Sequence, residues 1–171
     1  MIYALPLIFF FPFVVMAEVS PEGIMRETFA VSDVQKRPLL LGRQEFEHFE
    51  GLAKVHLKEQ VYRYYLAFDG KKKLRGSGVL LTLRVRTKDM TVLYLIEDKK
   101  QIKHIEILRF LEPPEYEPSE KWVKRLSGQA LSDELRIGSK VTNITGATLS
   151  ARSVTEGARI ALALITSKGV K

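Results

Sequence analysis

Strand-like apolar runs separated by short polar turns dominate the middle of this sequence, from residue 61 to residue 111. In the run from Gly76 to Arg86, apolar side chains at Val79, Leu81 and Leu83 alternate with their neighbours, and this period of two is typical of a half-buried strand. Runs joined by short polar turns pair as antiparallel hairpins. The pattern predicts four strands, at residues 61–68, 76–86, 90–96 and 102–111.

Helical spacing of apolar residues flanks these strands on both sides. It predicts helices within Leu39–Lys58 and at Glu120–Ser127, and one short helix before Phe29 in the otherwise irregular stretch 18–38. Ser153 and Glu156 have the spacing of a capping box, so we expect the last helix to begin at Ser153.

This order of elements, strands followed by helices, indicates an α+β fold. We expect a twisted antiparallel sheet with flanking helices, because the regular alternation of a doubly wound parallel sheet is absent from the sequence. The length of 171 residues suits a single domain.

The first 17 residues, MIYALPLIFFFPFVVMA, are uncharged and rich in large apolar side chains. A spanning helix needs about 20 apolar residues, and this run is shorter and contains two prolines. We therefore predict a cleaved signal peptide at 1–17 and an exported protein, periplasmic or in the cell envelope. No Lys or Arg precedes the apolar run, so an uncleaved membrane anchor is the alternative.

Composition excludes several chemistries. The sequence has no cysteine, which excludes disulfides, thiol nucleophiles, Cys-ligated zinc and iron–sulfur clusters. His48, His56 and His104 lack the spacing of a metal site, so no metal is expected. The net charge of +7 favours anionic partners, but the basic residues are too dispersed for nucleic-acid binding.

The segment Thr142–Ser153, TNITGATLSARS, combines a glycine, small residues and five hydroxyl side chains just before a helix. Helix N-termini present free N–H groups and a positive dipole end, which favours a phosphate there. From the residues alone, a hydroxyl-rich helix cap without a ligand is the favoured interpretation.

Thr145–Ser150, TGATLS, resembles the [ST]-G-A-T-x-[ST] signature of the FMN-binding domain family. This family includes the flavin subunits of sodium-translocating NADH:quinone reductases and of related ferredoxin:NAD oxidoreductases, and small exported proteins. The resemblance extends over residues 78–166, through 85–88, 112–116 and 122–128. It implies an N-terminal part of the domain at 18–75, with a helix and a strand, and an FMN-binding core at 76–171.

By this resemblance the cofactor is FMN, held through a phosphoester to Thr148 that a flavin transferase installs. The other cofactor-binding residues that the resemblance implies are Thr145, Gly146, Ala147, Leu149, Ser150, Arg86, Thr87, Lys88, Glu112 and Tyr116. Tyr116 or Trp122 could pack on the flavin ring, and for Trp122 a place in the core is favoured. The pair Glu112/Glu115 could suggest acid–base work, but the two prolines between them indicate a rigid loop.

One position departs from the family pattern: Thr142 stands where the preferred acceptor usually has Asp, six residues before the modified threonine. The resemblance implies an electron carrier that exchanges electrons with a membrane or soluble redox partner and needs no substrate turnover. Three alternatives stay open at this point: FMN held without a covalent bond, a flavin-dependent reductase of small molecules, and a flavin-free basic binding module of the envelope.

Overall fold

The structure is a computed structural model, and it describes residues 20–167. The helices and strands, in chain order, are α1 (Pro21–Phe29), β1 (Asp33–Leu40), α2 (Arg43–Ala53), β2 (Val61–Phe68), β3 (Leu74–Arg84), β4 (Asp89–Glu97), β5 (Ile102–Phe110), α3 (Glu120–Val123) and α4 (Thr148–Ser167). The predicted signal peptide at 1–17 lies outside the described residues.

The five strands form one antiparallel sheet in the order β1-β2-β3-β4-β5, each paired with its neighbour in sequence. The α+β prediction is therefore confirmed, and the four predicted strands correspond to β2–β5. The division predicted between residues 75 and 76 falls inside β3, so both parts of the chain contribute to the same sheet.

Alternate residues of the interior strand β4 enter two separate apolar layers. Val92 and Tyr94 point into the larger core with α2 and α4, and Leu93 and Leu95 pack with Met25 of α1 on the other face. The sheet is thus covered on both faces, with α4 packed against β3 and β4. All four of these β4 side chains are fully buried.

The first strand, β1, was not predicted from the sequence. Residues 33–40 form β1 and pair with β2 along its whole length, although no strand was predicted there. Its side chains are mostly exposed or half-buried because β1 lies at the edge of the sheet. An edge strand of this kind lacks the alternating apolar pattern on which the prediction depended.

The prediction that the last helix begins at Ser153 was wrong, because α4 begins at Thr148. Ser153 lies inside the helix, and its Oγ donates to the Arg84 carbonyl oxygen at 3.0 Å instead of capping a helix end. Ser150 and Ala151 are buried within the helix, which therefore extends beyond its local capping signal. As a consequence, the TGATLS segment contains the N-terminus of α4.

Within residues 20–167, no helix has the length and apolar character needed to cross a membrane.

Candidate functional site

A cleft lies where the end of β3, the segment after β5 and the first turn of α4 meet. It encloses about 470 Å³ and is open to solvent. Its lining residues are Val85, Arg86, Glu112, Tyr116, Gly146, Ala147, Thr148, Leu149 and Ser150. The structure therefore brings together three segments that are far apart in sequence, and eight of these nine residues were predicted as site residues.

Three predicted site residues lie beside the cleft but outside its lining. Thr87 and Lys88 follow Arg86 in the turn between β3 and β4, and Thr145 directly precedes Gly146. Val85 lines the cleft and was not predicted as a site residue, although its place in the apolar alternation of the β3 segment marked it as facing the core.

The N-terminus of α4 forms one wall of the cleft. The Ala151 N–H donates to the Ala147 carbonyl at 3.0 Å, so the N–H groups of Thr148, Leu149 and Ser150 precede the hydrogen-bond ladder of the helix. The first turn contains no acidic residue that would oppose an anion. Free N–H groups and the helix dipole together favour a phosphate at this position.

Gly146 allows the chain to turn into this helix. Its φ is +86°, a conformation that L side chains rarely adopt, whereas the space around its α-carbon is open. The glycine is thus needed for the backbone conformation and not for clearance from a neighbouring atom. Two residues further, the Thr148 hydroxyl is half-buried and donates to the Ile144 carbonyl at 3.2 Å. Its oxygen lone pairs are not used by that bond.

Glu112 holds the opposite wall in place. Its Oε1 accepts hydrogen bonds from the backbone N–H groups of Lys88 at 2.7 Å, Thr87 at 2.6 Å and Arg86 at 3.1 Å. These donors, that of Lys88 first, lower the pKa of the Glu112 carboxyl from its ordinary value. A carboxylate engaged in this way fixes the turn 86–88 and is poorly suited to exchange protons with a ligand.

We predict that E112Q destabilises the protein at neutral pH and removes part of its acid sensitivity. Because the pKa of Glu112 is lower in the folded state, its stabilising contribution is present above the unfolded value of about 4.5 and is lost as the pH falls below it. Urea denaturation at a series of pH values from 7 to 3 measures the free energy of unfolding of wild type and of E112Q. The two free energies should converge at the acid end of this range.

A matched control for this measurement is E115Q, which removes an exposed carboxylate from the same segment. It should follow the wild-type curve. A difference in the free energy of unfolding between wild type and E112Q that stays constant from pH 7 to pH 3 would contradict the assigned role of Glu112.

The cations of the turn are exposed and unpaired. Neither Arg86 nor Lys88 forms an ion pair within the described part of the chain. Arg86 lines the cleft, so one wall carries a guanidinium and the other carries free helix N–H groups. Both are groups that bind phosphate oxygens.

Trp122 lies in the core, as the favoured interpretation predicted, with only 6% of its surface exposed. Its Nε1 donates to the Thr142 carbonyl at 2.8 Å, and Arg125 Nη1 donates to the Thr142 hydroxyl at 2.9 Å. These two bonds, which sequence reasoning missed, tie α3 and the turn after it to the segment that leads into the cleft. Tyr116, in contrast, is 36% exposed and lines the cleft.

Each of the three histidines contacts a polar side chain. His104 contacts Glu106 at 2.8 Å, and His48 contacts Ser167 at 3.1 Å. Residues 20–167 contain no group of three metal-ligating side chains that could hold an ion.

Comparison with known proteins identifies the domain that contains this cleft. Residues 87–163 match the model of the FMN-binding domain family, a span that includes the segments 112–116 and 146–150. The chain contains an FMN-binding domain. FMN is accordingly its cofactor.

The fold agrees with that of a known structure. The crystal structure of NqrC from Shewanella oneidensis superimposes with a TM-score of 0.56 at 16% sequence identity, covering 85% of this chain and 86% of that one. A search of curated protein sequences gave no significant match.

The cleft residues of this FMN-binding domain suit the cofactor. The free N–H groups of α4 and the Arg86 guanidinium match a phosphate, and Val85, Tyr116 and Leu149 offer apolar surface for a flavin ring. Leu149 is 44% exposed, although apolar side chains of its size are more often buried.

Proposed function

We propose that this chain is an exported electron-transfer protein that carries FMN through a phosphoester to Thr148. The observation that carries the proposal is the position of Thr148: it is the first residue of α4, it lines the cleft, and it lies inside the span of the FMN-binding domain. The export signal predicted at residues 1–17 supports a location in the periplasm or cell envelope.

The linkage requires the Thr148 hydroxyl to act as a nucleophile. In the proposed reaction a flavin transferase presents FAD, the Thr148 oxygen bonds to the FMN phosphorus and loses its proton, and AMP leaves. The half-buried hydroxyl lines the cleft and so is open to a donor at its mouth. The N–H groups of the first helical turn are placed to stabilise phosphate charge as the ester forms.

Other residues of the chain then hold the cofactor and shape its surroundings. FMN itself supplies the one- or two-electron chemistry, and the protein positions it and sets its potential. Arg86 lies in the wall that Glu112 fixes, and its positive charge favours the reduced, more negative flavin. Leu149 and Tyr116 are exposed at the cleft, where a redox partner in a membrane or in solution would approach.

An electron carrier and a reductase give different results in a redox assay. We expect the purified, FMN-loaded protein to accept electrons from dithionite in proportion to its flavin, and to return the same amount to ferricyanide. We also expect no sustained consumption of NADH with small-molecule acceptors such as quinones or nitro compounds. Multiple-turnover reduction of one such substrate without a partner protein would contradict the carrier proposal and favour a flavin-dependent reductase.

A further inference from the structure

A second cleft, lined by none of the residues around the FMN site, lies beside the middle of α4. It encloses about 460 Å³ open to solvent, between α4 and the loop that contains Leu135 and Ile137. Three arginines line it, Arg136 from the loop and Arg152 and Arg159 from α4. We call it the arginine cleft.

Arg159 is a buried cation that forms no ion pair with any carboxylate in the part of the chain that the structure describes. It is 5% exposed, and its Nε donates to the Ala53 carbonyl at 2.6 Å, at the end of α2. Its Nη1 donates to the carbonyls of Ser132 at 2.6 Å and Leu135 at 3.1 Å. These acceptors are neutral, and among residues 20–167 no acceptor engages Nη2. The guanidinium is therefore held rigidly with donor capacity left over.

The charged residues that line the arginine cleft leave it with a net positive charge. Arg136 and Arg152 are exposed and form no ion pair with any described residue. Glu156 is the one carboxylate among the lining residues, so three guanidinium groups face a single negative charge. Asp133 lies outside the lining and forms an ion pair with Lys54 at 2.6 Å; its pKa is lowered chiefly by that lysine and further by Arg159 and Arg136.

An arrangement of this kind fits an oxyanion with two negative charges. Buried charges are normally paired, and a guanidinium offers parallel N–H donors that match the oxygens of a phosphate. We propose that the arginine cleft binds a phosphate-type oxyanion, either free or as the phosphomonoester of a lipid headgroup. This site goes beyond the proposed function, because it requires no FMN.

The test is a calorimetric titration of the FMN-loaded full chain with inorganic phosphate, at an ionic strength kept constant with sodium chloride. Loading with FMN keeps the helix N-terminus at Thr148 occupied, so that added phosphate reports on the arginine cleft. Wild type should bind one phosphate saturably, and R136Q/R152Q should bind it at least about tenfold more weakly, since each exposed guanidinium contributes charge-assisted bonds. Both side chains are exposed, so the variant should fold.

The matched control is R63Q/R75Q, which removes the same charge from exposed arginines of β2 and β3 that lie outside the arginine cleft. It should bind phosphate within about twofold of wild type. An equal loss in both double variants, or the absence of saturable binding in wild type, would overturn the proposal. Failure of FMN loading would instead count against the proposed function, and the titration can then be repeated on the flavin-free chain.

Vesicles separate the two sources of the oxyanion. Sedimentation with phosphatidic acid vesicles, compared with neutral phosphatidylcholine vesicles, measures headgroup binding. Binding to phosphatidic acid that R136Q/R152Q abolishes and R63Q/R75Q retains would support a lipid headgroup. Calorimetric binding of phosphate without any vesicle binding would support a free oxyanion.

Discussion

Replacing Gly157 by alanine should destabilise the protein by about 3 kcal/mol, the upper part of the range for overpacked cores. A β-carbon at this position of α4 would overlap the hydroxyl oxygen of Tyr94 and would lie 2.7 Å from a methyl carbon of Leu83. Tyr94 is fully buried in β4 and donates to the Val154 carbonyl at 3.0 Å, so its ring has no free space to enter. Urea denaturation followed by circular dichroism measures the loss.

Gly51 provides the matched control because it also lies inside a helix, α2, but in open space. There the alanine meets no neighbour within 4 Å, and G51A should raise the free energy of unfolding by about 0.5–1 kcal/mol. A lower free energy of unfolding in G157A and a higher one in G51A would separate the effect of packing from that of helix propensity. A G157A protein as stable as wild type would contradict the close seating of α4 on the sheet, and with it the position of the cleft.

Truncating Trp122 to alanine should cost about 3–5 kcal/mol, because it empties a large volume in the core and frees the Thr142 carbonyl. W122F should cost less, since it retains most of the packing and loses chiefly one hydrogen bond, worth about 1 kcal/mol. Denaturation followed by circular dichroism should rank wild type above W122F and W122F above W122A.

Trp122 is the single tryptophan of the sequence, so the fluorescence of the wild type reports on its environment directly. The emission should be blue-shifted in the folded protein and move to longer wavelength on unfolding. Emission at the wavelength of a solvated indole in the native state, or W122A with wild-type stability, would contradict the core position of this ring.

Elements with a strong periodic signal were predictable from sequence. The strands β2–β5 have alternating or continuous apolar runs, and α2 and α4 have apolar residues at helical spacing. β1 had no such signal because its side chains at the sheet edge are largely exposed. The start of α4 was misplaced because the capping pattern lies at Ser153, whereas Ser150 and Ala151 before it are already buried within the helix and Ser153 Oγ donates to the Arg84 carbonyl.

In the candidate site, too, the residues with a signal in the sequence were predictable and the others were not. Thr148 and its neighbours were predictable because a family signature marks them, and Arg86, Glu112 and Tyr116 because the resemblance extends to their segments. The bonds from Trp122 and Arg125 to Thr142 join residues 20 and 17 positions apart, and nothing in the local sequence indicates such partners. No pattern in the sequence marked Arg159, and only the fold places it beside Arg136 and Arg152.

The most direct test of the account is the intact mass of the protein exported from cells that contain a flavin transferase, together with in-gel flavin fluorescence after denaturation. Wild type, T148A and T145A should be compared, because Thr145 belongs to the same signature but lies outside the lining of the cleft. We predict a chain that begins at Glu18 and is heavier by one FMN less water in wild type and T145A, with both the added mass and the fluorescence lost in T148A. Wild type without added mass, or T148A that retains it, would contradict the linkage at Thr148.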